Sequence, residues 1–233
     1  MPDANPLRLT LNPRPDLHII SLGQEGQSAL VADNVLTDPD RLRDAAIRAP
    51  FAAPPPTSLY PGMTAPLPDG YLPLLLSVLR RPMTDIFGMR QVRSFRTYGF
   101  LGLATLARDQ MAPAQAAPHT DTHRLDSFAS VHYLSPMQAG GTAFYRHRAT
   151  GFELITPTRN DKFRRLRGQE LAAGLDSKTA YEEIAYVEPR FNRLVLYRAG
   201  QLHSARLNTE AGLSHDPALG RLTANLFFNT EDG

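Results

Sequence analysis

The sequence predicts a mainly β protein with flanking helices, in the form of a β-sandwich or jelly roll. Several short strand patterns crowd the C-terminal half of the chain and are separated by turn residues. Two helix patterns with capping and proline signals precede them. Short strands that follow helices favour a sandwich with helical support.

Length and composition favour one domain. The chain has 233 residues, 42% of them hydrophobic, so it can bury a full core. We expect residues 1–233 to form a single domain, with N-terminal strands and supporting helices over 1–90 and a jelly-roll core over 91–233.

Composition also excludes several classes of site. The chain contains no cysteine, which rules out disulfides, iron–sulfur clusters, thiolate zinc sites and cysteine nucleophiles. Any metal site must therefore use His, Asp or Glu. The formal net charge is only +2, and aromatic residues do not interleave with basic ones, so we expect no nucleic-acid partner.

No segment predicts a membrane or secretion function. The N-terminus lacks a long apolar run after a basic segment. The longest apolar stretch, around 71–79, contains Pro73 and is too short to span a bilayer. We expect a soluble, cytoplasmic protein with no membrane partner.

The first elements are two short strands and a helix. Apolar residues cluster over 7–11 and 18–22 between proline-rich turns, which predicts strands in a hairpin or edge pair. Thr37 or Asp38 can cap a helix that runs from about Pro39 to Arg48.

A proline-rich segment and a second helix follow. Residues 52–68 contain six prolines of the kind that stiffen an ordered loop, with Tyr60 and Met63 as candidate anchors. A helix should begin after Asp69, place its leucines in the core and end before Pro82.

The pattern then changes to period two, which predicts a strand from Met89 that continues to Leu106. Later strand-like runs are Ser127 to Leu134, Gly141 to Tyr145, Tyr186 to Val187, Arg193 to Tyr197 and Arg221 to Phe228.

A polar insertion over 150–183 interrupts these strands, and its second half, Gln169 to Glu183, has a helical pattern. It is either a solvated helix or a lid that selects an anionic substrate through its arginines. Arg146 and Arg148, just before it, give the same hint of an anionic group.

One stretch carries metal-ligand residue types. His119, Asp121 and His123 alternate, and residues two apart on an extended chain project to the same side. His203 follows an apolar strand and a glycine turn, 84 positions after His119 (203 − 119). Two imidazoles and one carboxylate on one face of an ion leave the opposite positions open, as in non-haem Fe(II) oxygenases.

The last strand offers a site for a carboxylate. A 2-oxo acid that chelates iron needs a fixed cation for its distal carboxylate, and arginine fits best because its fork pairs with both oxygens. Arg221 and Thr223 share one face of this strand, so a guanidinium and a hydroxyl can act together.

These residues together resemble the Fe(II)- and 2-oxoglutarate-dependent dioxygenases, whose pattern is His-x-Asp, a distal His, and then Arg-x-Ser or Arg-x-Thr. The matches are His119, Asp121, His203, Arg221 and Thr223. The Tyr-Leu segment at 133–134 and the Gly-Gly segment at 140–141 are similar to the family's, and the N-terminal part resembles the helical support of bacterial members.

The resemblance implies a double-stranded β-helix, which is a cupin-like jelly roll. It also implies that the catalytic residues His119, Asp121 and His203 hold Fe(II) and that Arg221 and Thr223 bind 2-oxoglutarate. The expected reaction uses dioxygen to decarboxylate 2-oxoglutarate and hydroxylate a small metabolite or a substrate of the natural-product or amino-acid type. We expect a small-molecule substrate, and the candidates include an anionic metabolite, a free amino acid, a carrier-bound intermediate and a peptide side chain. Desaturation and ring formation are alternative outcomes.

Three alternatives stay open. The gap from His203 to Arg221 is 18 positions, longer than the family's usual spacing, so Arg206 is a rival for the clamp. His123 lines the substrate mouth, supports a ligand, or is itself a fourth ligand in a zinc hydrolase. The third alternative is a non-catalytic jelly-roll binding module.

The remaining histidines, at 18, 132, 147 and 215, are expected to be structural or surface residues.

Overall fold

Two antiparallel β-sheets form the jelly roll that the sequence predicts. A computed structural model describes residues 7–89, 94–208 and 213–230. The larger sheet has seven strands in the order β1-β2-β8-β5-β10-β4-β3, and the smaller has three in the order β7-β6-β9. The ten strands are β1 (Asp16–Leu22), β2 (Gln27–Asp33), β3 (Gly62–Pro66), β4 (Phe95–Ala104), β5 (Ser127–Tyr133), β6 (Gly140–His147), β7 (Tyr181–Val187), β8 (Arg193–Arg198), β9 (His203–Leu207) and β10 (Arg221–Thr230).

The helices are α1 (Pro39–Ile47), α2 (Tyr71–Asp85), α3 (Pro113–Ala116), α4 (Pro157–Ala172) and α5 (Ser177–Ala180), with a short 3-10 turn at Arg108–Gln110. Helices α1 and α2 pack on the outer face of the larger sheet. Within the described residues, every helix is too short or too polar to cross a membrane.

Alternation along the central strands separates two cores. On β8, Leu194 and Leu196 join the core beneath α1 and α2, whereas Val195 and Tyr197 join the core between the two sheets. Because successive side chains of a strand point to opposite faces, one run of apolar residues serves both layers. The same alternation places one face of β10 toward the space between the sheets.

The N-terminal strands belong to the same sheet as the C-terminal ones, since β2 pairs with β8 and β3 pairs with β4. The observed N-terminal strand pairing differs from the predicted one. Strand β1 pairs with β2 instead of with residues 7–11, of which only Leu11 makes a bridge, to Leu36. The proposed division of the chain at residue 90 stays a prediction.

Several predicted boundaries were wrong, and the segment over 52–68, predicted as a loop, contains strand β3, which pairs with β4. Helix α2 continues past Pro82 to Asp85, because Leu79 and Met83 are buried on its core face and hold the last turn in place. The strand predicted from Met89 begins at Phe95, and residues 90–93 lie outside the described residues.

The insertion over 150–183 also differs from its prediction. Its long helix, α4, occupies 157–172. The predicted helix over 169–183 is confirmed only in part, because the last residues of α4 and the short α5 lie in it but strand β7 begins at Tyr181. Residues 181–187 pair with β6 instead, so their backbone hydrogen bonds go to a neighbouring strand. The insertion therefore contributes a strand to the smaller sheet.

A buried polar group lies between α2 and the larger sheet. The His132 ring is fully buried, its Nδ1 bonds the Tyr71 hydroxyl, and its Nε2 lies 3.2 Å from Asn192 Oδ1. Burial lowers the pKa of His132 from 6.5 to about 4, against the hydrogen bond to Asn192. The neutral ring is thus part of the folded core.

This pKa predicts a pH-dependent stability. Between about pH 6.5 and pH 4 the unfolded chain binds a proton at this histidine that the folded chain does not, so the free energy of unfolding should fall as pH falls through this window. The contribution is roughly 3 kcal/mol at most. Urea denaturation of the wild type and His132→Gln at pH 7 and pH 4.5 should show a smaller loss in the variant. The exposed His18→Gln should keep the wild-type loss, and equal losses in all three proteins would contradict the assignment.

Candidate metal centre and cosubstrate pocket

A cavity of about 610 Å³ lies between the two sheets and opens to solvent. Its lining combines three potential metal ligands with a buried arginine, an aromatic wall and several basic side chains. These groups include His119, Asp121, His203, Arg221, Phe227 and Arg108. The cavity therefore contains four of the five residues that the sequence predicts for the site.

Backbone pairing brings two remote segments together at one end of this cavity. The amide of His119 donates to the carbonyl of His203 at 2.9 Å, and the amide of His203 donates back at 2.9 Å. Two residues later, the amide of Asp121 donates to the carbonyl of Ala199 at 2.9 Å. These reciprocal bonds form a short antiparallel ladder that sets the two histidines side by side.

Side chains at this ladder converge in the way that an ion requires. One ligand atom from each of His119, Asp121 and His203 lies within 4.8 Å of the others. His119 Nε2 is 3.9 Å from Asp121 Oδ1, and His203 Nε2 is 3.6 Å from Asp121 Oδ2. Two imidazole nitrogens and one carboxylate therefore surround one point in space.

Hydrogen bonding and burial prepare these atoms as ligands. His203 Nδ1 donates to the Gln201 carbonyl at 2.9 Å, which turns Nε2 toward Asp121. Burial, with smaller contributions from the charges of His203 and Arg167, lowers the pKa of His119 to about 3. The His119 ring is thus neutral near pH 7 and has a lone pair to donate.

The carboxylate of Asp121 supplies the test of fit for a cation. Its Oδ2 is buried with no hydrogen-bond partner among the described residues. Burial raises the pKa of Asp121, and the charge of His203 opposes that rise. A buried carboxylate without a partner is costly, and a divalent ion supplies the missing positive charge. The donor set of nitrogen and oxygen suits iron among other ions.

His123 does not belong to this group. Its side chain is exposed, and it neither joins the ligand cluster nor lines the cavity. The interpretations of His123 as a ligand or as part of the pocket wall were wrong. The last backbone bond of this pairing runs from the amide of Thr122 to the carbonyl of Ala199, so the two-residue alternation ends before it reaches His123. The four-ligand zinc set is therefore not assembled.

The other histidines are placed as predicted, in the structure or at the surface. His132 and His147 are buried in hydrogen-bonded networks away from the cavity, and His18 and His215 are exposed.

Arg221 lines the buried interior of the cavity. The residue is only 4% exposed, and its Nε donates to the Gly140 carbonyl at 2.7 Å while Nη2 approaches the Gly141 carbonyl at 3.4 Å. A Cβ at Gly140, where φ is +108°, would overlap the carbonyl oxygen of Arg206. The Gly-Gly segment thus lets β6 approach β9 closely and leaves its carbonyls to hold the guanidinium.

Thr223 lies next to Arg221 on the same face of β10 but is fully buried and does not line the cavity. Its hydroxyl is 3.4 Å from the Gly102 carbonyl and accepts a hydrogen bond from Asn225 Nδ2 at 3.1 Å. Thr223 therefore supports the cavity floor.

Tyr60 is a site residue that the sequence identified only as a loop anchor. Its hydroxyl is buried without a partner in hydrogen-bonding geometry among the described residues, and a Cβ at Gly102 would overlap it. Burial raises the pKa of this phenol and the charge of Arg221 acts in the opposite direction, so the hydroxyl lies near the guanidinium. The sequence feature that could have identified Tyr60 as a site residue is its position as a lone tyrosine in a proline-rich segment.

Arg206 also lines the cavity but is already engaged. Its Nη1 pairs with Glu183 Oε1 at 2.9 Å, and its guanidinium lies 4.7 Å from the centre of the Tyr186 ring. The side chain is exposed, whereas Arg221 is buried and bonded to neutral carbonyls. Of the two, Arg221 has the less compensated charge inside the cavity.

The insertion reaches the cavity through one residue, Lys178, among those described. Its arginines do not line the cavity, and Arg159 pairs with Glu25 at 2.8 Å. Arg146 binds Glu153 and Glu182, and Arg148 is exposed outside the cavity. The arginines that hinted at an anionic substrate are therefore structural or surface residues.

Several solved structures match this chain in overall fold at low sequence identity. HygX from Streptomyces hygroscopicus, solved with nickel, 2-oxoglutarate and hygromycin B bound, is 13% identical, with 88% of this chain and 84% of that chain covered and a TM-score of 0.48. The non-heme alpha-ketoglutarate-dependent carbocyclase SnoK from nogalamycin biosynthesis is 14% identical, with coverages of 87% and 79% and a TM-score of 0.47. An N-substituted L-amino acid dioxygenase from Burkholderia ambifaria is 12% identical, with coverages of 96% and 98% and a TM-score of 0.40.

No curated protein matches the sequence. A model of one protein family, described as a family of unknown function (DUF6445), matches residues 13–228.

The ligand geometry predicts which histidine controls metal affinity. Titration with Co(II), followed by calorimetry, should give one site per chain in the wild type. Loss of partners outside the coordination sphere commonly weakens metal binding by about 10 to 100-fold, so His203→Ala should weaken it by at least about 100-fold. His123→Ala, the matched control, should bind as the wild type does. Equal weakening by both substitutions would return His123 to the ligand set.

Proposed function

The chain belongs to the DUF6445 family, and we propose that it is an Fe(II)- and 2-oxoglutarate-dependent dioxygenase that hydroxylates a small molecule. One observation carries the proposal. A cluster of two imidazoles and one carboxylate shares a cavity with a buried arginine whose partners are neutral carbonyls. A hydrolytic metal centre needs the first of these features but not the second.

His119, Asp121 and His203 would hold the iron from one side. The short ladder between the two segments limits the movement of their backbones, and the Gln201 carbonyl orients the His203 ring. The side of the cluster that faces the cavity is left for a bidentate 2-oxo acid and dioxygen. When Fe(II) is bound there, it supplies the oxidation in which 2-oxoglutarate, dioxygen and a C–H substrate give succinate, carbon dioxide and an alcohol.

Arg221 would bind the distal carboxylate of 2-oxoglutarate. Its guanidinium is buried, so its attraction for a carboxylate is screened little by solvent. The carbonyls of Gly140 and Gly141 fix its plane, and Thr223 supports the strand beneath it. The Tyr60 hydroxyl, which is buried near the same guanidinium, is a further donor for this carboxylate.

Hydroxylation is the outcome we expect by default. The cavity can hold a substrate beside the cluster, against a wall of aromatic side chains. Phe227 and Tyr98 stack with ring centres 4.7 Å apart on one wall. An apolar wall limits the water that reaches the reacting carbon and favours its orientation toward the open side of the cluster.

Turnover of 2-oxoglutarate tests the function directly. The full chain with Fe(II) should release succinate from 2-oxoglutarate, slowly without substrate, since such sites decarboxylate in an uncoupled way. Mutation of a residue that hydrogen-bonds to a metal ligand commonly lowers activity by up to roughly 100-fold. Removal of a ligand itself should have a larger effect, so Asp121→Ala should lower succinate release by at least about 100-fold.

The matched control is Asp126→Ala, which removes a carboxylate from the same segment outside the cavity lining and should retain turnover. Normal turnover and iron content in Asp121→Ala would reject the proposed metal centre. Iron binding without any 2-oxoglutarate consumption in the wild type would instead favour a non-catalytic binding module.

The two candidate arginines make separate predictions for cosubstrate affinity. Charge-assisted hydrogen bonds contribute about 1.5 to 3 kcal/mol, so Arg221→Gln should raise the dissociation constant of 2-oxoglutarate by roughly 10 to 100-fold. Arg206→Gln should change it less than about threefold, because an exposed charge that already has a partner is worth little. Anaerobic titration of the Fe(II) protein measures both, and a large effect confined to Arg206→Gln would move the clamp.

A further inference from the structure

Basic side chains surround the mouth of the cavity. Arg108 from the 3-10 turn, Lys178 from α5 and Arg206 from β9 all line it, although they come from distant parts of the chain. Among the described residues, the one acidic side chain in the lining is Asp121, which the proposed function assigns to the metal. The charge available to a substrate is therefore positive.

Arg108 and Lys178 carry the uncompensated part of that charge. Arg206 is paired with Glu183. In the described parts of the chain, neither Arg108 nor Lys178 forms an ion pair. The guanidinium of Arg108 instead donates to the Ser177 hydroxyl, next to Lys178, so a neutral partner holds the two cations on one side of the mouth.

Among the described residues, the acidic residue of the same segment forms no ion pair with either cation. Asp176 caps α5 by accepting the backbone amide of Lys178 at 2.6 Å. Asp176 lines a neighbouring cavity of about 250 Å³, which Arg108 also borders, but it does not line the larger cavity.

The field of Arg108 extends into the larger cavity. The Tyr145 hydroxyl, which accepts a hydrogen bond from Ser204 Oγ at 3.3 Å, lines this cavity. Burial raises the pKa of Tyr145, the hydrogen bond with Ser204 lowers it, the charge of Glu183 raises it, and the charges of Arg108 and Arg206 lower it. Arg108 thus lies within electrostatic reach of the interior wall.

In contrast to the basic mouth, one wall of the cavity is aromatic and apolar. Phe227 stacks on Tyr98 at 4.7 Å and on Phe100 at 6.0 Å, and all three rings line the cavity. The charge of Asp121 contributes to raising the pKa of Tyr98, after burial, so this wall extends to the ligand cluster.

We infer that the substrate is an organic oxyanion, with a carboxylate or phosphate group held by Arg108 and Lys178 and an apolar body along the wall of Tyr98, Phe100 and Phe227. The inference rests on the proposed function and names the substrate class of the same site. The planar fork of Arg108 pairs with two oxygens of either anion, and Lys178 adds a point charge. The apolar body would then lie between this anchor and the ligand cluster.

Matched probes can measure this preference. We would use phenylalkanoic acids and phenylalkyl phosphate monoesters of two to six methylenes, each beside its uncharged primary amide or alcohol. Calorimetry would be done without oxygen on the full chain saturated with Fe(II) and 2-oxoglutarate, so that the cosubstrate already occupies Arg221. At least one charged probe should bind about tenfold or more tightly than its neutral partner.

Variants then locate the anchor. Arg108→Gln and Lys178→Gln should each reduce the preference for the charged probe severalfold while the affinity for 2-oxoglutarate stays within about twofold. Arg164→Gln removes an exposed cation of α4 outside both cavities and should change neither. Binding of only one of the two series would identify the oxyanion and support the inference.

Several outcomes overturn it. These are equal affinity for charged and neutral probes, no saturable binding of any charged probe, or an undiminished preference in both Arg108→Gln and Lys178→Gln. A loss of 2-oxoglutarate affinity in Arg108→Gln equal to that in Arg221→Gln would also reject the assignment, because Arg108 would then serve the cosubstrate. If the wild type binds neither Fe(II) nor 2-oxoglutarate but still prefers charged probes through Arg108, the proposed function fails and the anion site stands.

Discussion

The candidate site depends on the antiparallel pairing of His119 with His203. Two reciprocal backbone bonds, each 2.9 Å long, join segments that are 84 positions apart (203 − 119), and the bond from Asp121 to Ala199 extends the ladder. Backbone bonds of this kind fix the direction in which side chains leave the chain. The convergence of three ligand atoms is therefore a consequence of main-chain pairing, with the hydrogen bond from His203 to the Gln201 carbonyl orienting one ring.

Strand β10 links this arrangement to the stability of the fold. Leu222, Leu226 and Phe228 are buried beneath the helices, and the alternate residues Arg221 and Phe227 face the cavity. A shift of one residue in the register would exchange the two faces. The apolar packing that stabilises the sheet therefore also keeps the guanidinium inside the cavity.

The cavity buries charge that the protein itself does not neutralise. The Asp121 carboxylate has an oxygen without a hydrogen-bond partner among the described residues, and the Arg221 guanidinium is held by neutral carbonyls. Such groups reduce stability when they are left without a counter-charge. With these two groups the cavity would bind a cation at Asp121 and an anion at Arg221, and the anion site inferred at Arg108 would lie at its mouth.

The sequence by itself determined the fold class and the residue types of the site, because alternation specifies strand faces and because His119-x-Asp121, His203 and Arg221 stand beside recognisable strands. Only the tertiary structure decided which neighbours share the cavity. It left His123 outside the cavity and placed Tyr60, Arg108 and Lys178 in the cavity lining. No local pattern distinguishes Arg108 or Lys178 from surface residues. The physical reason is that periodicity reports the direction of a side chain within one element, whereas a cavity depends on how loops and distant strands pack against each other.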